Sequence, residues 1–112
     1  MRAETIMELL QATVLCGELP TDEIQSACGS DMMSDVLAFS QEGTLLLTGL
    51  LNPQVLRTAD MLDIRCVVFV RGKQPNADMI HLAEEYDVAI LSTKHTLFTA
   101  AGKLYERGLR GH

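Results

Sequence analysis

Nine residues of this 112-residue chain have the types and the spacing to hold an oxyanion: Ser30, Asp31, Thr48, Asn52, Arg71, Gly72, Thr93, His95 and Thr96. They fall in four polar stretches, Gly29-Ser30-Asp31, Thr48-Gly49 with Asn52, Arg71-Gly72-Lys73, and Ser92-Thr93-Lys94-His95-Thr96. Hydroxyls, amides and the free N–H groups at helix starts donate to oxygen, and Arg71, Lys73 and Lys94 add positive charge. A phosphate or carboxylate suits such a set, and a nucleotide is the commonest phosphate bearer. Helix capping alone calls for the same residue types. A ligand cleft and a row of caps are therefore the two readings of the pattern.

Armed chemistry is missing from the same stretches. Gly72-Lys73 and Gly102-Lys103 lack the upstream glycine and the following hydroxyl residue of a P-loop. No G-x-G-x-x-G follows a strand and no G-x-S-x-G elbow occurs. His81 sits mid-helix on a solvated face and His112 is terminal, which leaves His95 as the one histidine in a promising loop. It reads as a neutral surface histidine before a general base. Asp60 and Asp63 solvate a helix end and form no carboxylate dyad. Cys16, Cys28 and Cys66 are odd in number and show no CxxC spacing. Such thiols behave as small buried hydrophobes of a reducing compartment, so no metal or resident cofactor is expected. The residues exclude the common catalytic templates and predict a non-enzyme, with a small enzyme using His95 or Cys28 as the residual reading.

The elements that must position the four stretches begin with Thr44–Thr48 and Cys66–Val70, two runs that are apolar throughout. Strands covered on both faces look like this, as parallel strands do. Asn52-Pro53 supplies a cap and a first-turn proline between them, and Val55, Leu56, Ala59 and Leu62 recur at helical spacing, giving a βαβ unit. Before it come a helix over Ala3 to Gln11 with Ile6, Leu9 and Leu10 on one stripe, and a strand from Ala12 to Cys16 closed by Gly17. A polar turn, a weaker strand over Ile24 to Cys28, and a helix from Met32 to Gln41 follow. Ser30-Asp31 is expected to cap that helix, Met33, Val36, Leu37 and Ser40 to form its inner face, and Gly43 to end it. After the unit come a helix over Ala77 to Tyr86, a strand over Val88 to Leu91, and a closing helix that turns Leu97, Ala101 and Leu104 inward beside Phe98 and Tyr105. Leu109 to His112 are expected to fray. The alternation predicts one domain over residues 1–112, an α/β fold of three layers with a mainly parallel sheet of about five strands and helices on both faces. In such sheets ligands gather beyond the C-terminal strand ends, which is where the four stretches fall.

Composition narrows the partners. The formal net charge is −6, which disfavours nucleic acid, and no apolar run approaches the ~20 residues of a membrane span. Nothing after Met1-Arg2-Ala3-Glu4 resembles an export signal, so the cytoplasm is the expected location. The first 56 residues carry eight acids and one base, the remainder seven acids and eight bases. That split permits one copy's acidic half to meet another's basic half.

Leu46-Leu47-Thr48-Gly49, Asn52-Pro53-Gln54-Val55 and Val67-Val68-Phe69-Val70-Arg71-Gly72 with Pro75 together resemble the DRTGG family. The run from Leu82 to Thr93 and Phe98-Thr99-Ala100-Ala101 fit it too, so the resemblance covers nearly the whole chain. It implies the fold of the N-terminal domains of HPr kinase/phosphorylase and, more distantly, of Mur ligases. Relatives occur attached to phosphotransacetylases and CBS-domain pyrophosphatases, and as stand-alone proteins, some beside iron-hydrogenase genes. They are typically dimeric regulatory modules, with adenine-nucleotide sensing implied where CBS domains are attached. The family's Asp-Arg would fall near Leu51-Asn52 and its Thr-Gly-Gly near Val70-Arg71-Gly72, of which only Gly72 is kept. The resemblance therefore implies a non-catalytic regulatory or interaction module, homodimeric, that senses a small anionic ligand. Its alternative is an adenine-nucleotide (AMP- or ATP-like) sensor controlling a partner enzyme such as a phosphotransferase or a hydrogenase-system protein.

Overall fold

The computed structural model describes residues 1–111. The described residues form five helices and five strands, alternating from β2 onward: α1 (Ala3–Leu10), β1 (Thr13–Cys16), β2 (Ser26–Gly29), α2 (Met33–Phe39), β3 (Thr44–Thr48), α3 (Gln54–Met61), β4 (Cys66–Phe69), α4 (Ala77–Tyr86), β5 (Ala89–Ser92) and α5 (Leu97–Glu106). One sheet runs in the order β1-β5-β4-β3-β2. Strands β2 to β5 are parallel, with Leu46 opposite Val67 and Val67 opposite Ile90. β1 alone is antiparallel, pairing Thr13 with Ser92 and slipping register between Val14 and Cys16.

The apolar runs bury both faces because strand side chains alternate. Leu45, Leu47, Cys66, Val68, Ala89 and Leu91 meet Ile6 and Leu10 of α1 and Ala100 and Leu104 of α5. Leu46, Val67, Phe69 and Ile90 meet Met33, Val36, Val55, Leu56, Met79 and Ala83 on α2, α3 and α4. The three-layer α/β architecture is thus as the sequence predicts. Every residue of β3, β4 and β5 is buried.

Several local expectations differ. α5 turns Ala100 and Leu104 inward, while Ala101 is exposed and Phe98 is 89% exposed. Leu37 of α2 also faces outward, and that helix ends at Phe39, with Gly43 left-handed four residues later. The tail does not fray over its described length. Leu109 is buried, and Arg110 O accepts from Ala27 N–H at 3.0 Å, laying the segment along the outer edge of β2. Arg110 also stacks over the Tyr105 ring at 3.7 Å. His112 lies outside the described residues. Among the described residues no helix is long and apolar enough to cross a membrane.

Candidate functional site

Because β2 to β5 are parallel, their C-terminal ends form one rim, and all four polar stretches lie on it. Within the rim the nine residues divide into two groups. At the mouths of β2 and β3, Asp31 Oδ1 accepts from Gly49 N–H at 2.7 Å and from Thr48 Oγ1 at 3.1 Å. Thr48 Oγ1 in turn accepts from Leu50 N–H at 3.2 Å. Ser30 Oγ accepts from Met32 N–H. Asp31 therefore does not cap α2 as its type suggested. Met32 stands at that N-cap with no side-chain bond, and the carboxylate instead crosses to the neighbouring strand end.

At the mouths of β4 and β5, Val70-Arg71-Gly72-Lys73 makes a tight turn braced by the next loop. Arg71 N–H donates to His95 O at 2.8 Å and Gly72 N–H to Thr93 O at 2.7 Å. Thr93 is buried and its hydroxyl donates to Leu10 O at 2.6 Å, tying the rim to the end of α1. Lys73 Nζ donates to Gly49 O at 2.8 Å and so joins the two groups.

Most of the hydroxyls and amides are occupied in holding backbone. Asn52 Oδ1 accepts from Gln54 N–H at 2.8 Å, and Thr96 Oγ1 accepts from Thr99 N–H at 3.2 Å, which starts α3 and α5. These two are caps. Left for a ligand are the side chains of Arg71 and Lys94, both exposed; His95 Nε2 has no hydrogen-bond partner among the described residues but is shielded from solvent, so a ligand reaches it only if the ring turns.

Beside this second group lies an open groove of about 520 Å³ lined by Gly72, Ser92, Thr93, Lys94 and His95 from the rim. Gln11, Thr13, Leu15, Gln74 and Leu10 complete it, and no carboxylate lines it. Gln11, Thr13 and Gln74 are the residues that sequence reasoning missed. β1 runs against its neighbour, so its start reaches the rim where a parallel strand would bring its end. The signal was present: residues 17–25 hold no helix, and a parallel connection needs a crossover of about a dozen residues or more.

Cys28 adjoins the rim at the end of β2, whereas Cys16 and Cys66 lie at the opposite ends of their strands from it. Burial pushes the Cys66 thiol above its ordinary 9.0 to about 12, and burial likewise raises Cys16, whose Sγ lies 4.0 Å from Val88 O. Neither becomes a thiolate near neutrality. Among the described residues no cluster of His, Cys, Asp and Glu could hold a metal ion.

A solved structure similar to the chain is that of the CBS and DRTGG domains of the regulatory region of Clostridium perfringens pyrophosphatase, complexed with the activator diadenosine tetraphosphate. The TM-score is 0.71 at 18% identity, over 92% of this chain and 45% of that one. The chain therefore spans less than half the length of that relative, and the likeness is one of fold. A search of curated proteins finds no match. The DRTGG domain family matches residues 5–106, the whole sheet and all of the helices but the first two residues of α1, and the chain belongs to it.

Proposed function

We propose that this chain is a non-catalytic regulatory module that senses a small anionic ligand on the rim and acts as a homodimer on a partner enzyme. The observation that carries the reading is the groove bounded by Gly72, Lys94 and His95, which carries the positive charge of Lys94 and no lining carboxylate. Arg71 extends the positive edge toward β3. A low-dielectric wall on one side strengthens attraction to an anion there. Regulation rather than turnover fits side chains whose hydroxyls are already engaged in holding loops.

An adenine nucleotide is the second reading, favoured by the activator in the pyrophosphatase structure of the same fold. The partner would then be an enzyme such as a phosphotransferase or a hydrogenase-system protein. A thermal-shift panel of AMP, ATP, diadenosine tetraphosphate and acetyl phosphate tests both readings. Ligand at 100 times its dissociation constant stabilises by about 2.7 kcal/mol, an upward shift of several degrees for a domain of this size. A flat response to the whole panel removes the sensor reading. Light scattering at high concentration tests the dimer, and a strictly monomeric mass removes it.

A further inference from the structure

Arg71 stands at φ 59 and Gly72 at φ 67, and Lys73 N–H donates back to Val70 O at 3.2 Å. This is a type I′ turn, in which both central residues take left-handed backbone and Asn-Gly is the preferred pair. Gly72 suits its position; arginine does not, because left-handed backbone crowds its Cβ against the carbonyl oxygen. Packing gives no reason for it. Arg71 is exposed and joins no ion pair among the described residues.

The side chain has a defined place nonetheless. A Cβ on Gly49 would stand 3.1 Å from Arg71 Nη2 and 3.6 Å from Asp31 Oδ1, so the guanidinium lies over the bare Cα of a buried glycine. Asp31 flanks the same glycine, yet its Oδ1 is taken by Gly49 N–H and Thr48 Oγ1, and no ion pair closes to Arg71. Lys73, two residues on, is committed to Gly49 O. Of the two cations in this turn, Arg71 alone has a side chain with no hydrogen-bond or ion-pair partner among the described residues.

We propose that Arg71, whose guanidinium lies over Gly49 at the mouth of β3 and outside the lining of the groove, extends the ligand site across the rim as its specificity-determining cation, held in a strained left-handed turn. Its planar fork takes two oxygens of one phosphate or carboxylate at once, where a lysine would offer only a point charge. The inference rests on the reading of the rim as a ligand site, and adds which residue selects the ligand and that the fold is weakened for it.

The test compares the full chain with Arg71→Asn and Arg71→Lys in thermal melts, alone and with inorganic phosphate, AMP or ATP. Asparagine relieves the turn, so the ligand-free Tm of Arg71→Asn should rise by roughly 2–5 °C. The same variant should lose the upward shift given by whichever probe stabilises the wild type. Arg71→Lys keeps the charge and loses the fork, so its affinity should fall roughly tenfold and the shift should persist in part. A shift with phosphate alone identifies a simple oxyanion, and a shift confined to AMP and ATP a nucleotide. If Arg71→Asn retains the full wild-type shift, the inference is overturned while the rim stands as a ligand site. If its ligand-free Tm falls, the strain argument is overturned. If the wild type responds to no probe, the reading of the rim fails and this inference with it.

Discussion

The Asp31 carboxylate accepts the Gly49 N–H at 2.7 Å, joining the loop after β2 to the end of β3. Through Thr48 Oγ1 the same oxygen also fixes the turn that leads toward α3. Removing the acceptor leaves the buried Gly49 N–H without a partner. Asp31→Ala should therefore cost about 1–3 kcal/mol in urea unfolding. Asp31→Asn, which keeps an acceptor at the same place, should cost less than half as much. Equal losses for the two would mean that charge rather than the hydrogen bond matters there.

Gly49→Ala gives the opposite balance. Its new Cβ meets the far end of Arg71 at 3.1 Å and Val70 Cγ2 at 3.5 Å, and the flexible partner moves first. Stability should change by less than about 1 kcal/mol, since alanine also narrows the unfolded ensemble. The response to any stabilising anion should drop with the displaced guanidinium. An Arg71-dependent thermal shift that survives Gly49→Ala unchanged would separate the two residues.

Alkaline pH should loosen the fold through Cys66. Its thiol is pushed up to about 12 in the folded chain by burial, against an ordinary 9.0. Below 9 both states carry the proton and nothing changes. Between 9 and 12 the unfolded chain ionises first, so stability falls as pH rises, approaching 1.4 kcal/mol per pH unit. Cys66→Ala should be weaker at pH 7 from its cavity but show a shallower decline from pH 9 to 11. Urea midpoints at four pH values decide it.

The tail should be worth more than its length implies. Leu109 is 6% exposed, and truncating such a side chain to alanine costs about 2–5 kcal/mol. Leu109→Ala should lower Tm by well over 5 °C. Deleting residues 109–112 should in addition bare the β2 edge and raise the apparent mass at high concentration. A tail deletion that melts like the wild type would show the segment to be ornamental.

What was legible in the sequence was the buried sheet. Leu45-Leu46-Leu47 and Val67-Val68-Phe69 are uninterrupted, and only a strand covered on both sides needs that. Helix phase was harder. In α5 the alanines at positions 100 and 101 are equally apolar, so spacing could not say which one the sheet would meet; the structure buries Ala100. Asp31 had a cap residue's type and position, but its hydrogen bond crosses between strand ends, and local pattern carries no trace of that. Periodicity, the same read either way, did not give the direction of β1; only the short helix-free connection after it did. Residues 17–25 pass from the lower end of one outer strand to the lower end of the other, about 19 Å away at ~4.8 Å per strand, and about nine extended residues reach that far.

The asymmetry of the two outer strands limits how the sheet could grow. Arg110 occupies the flank of β2, so β1 is the flank without a second strand among the described residues. A ribbon with one blocked side cannot propagate head to tail into a filament. Joined at its free side to a twin by a two-fold axis, it has no further side to offer, and growth terminates at a ten-stranded pair.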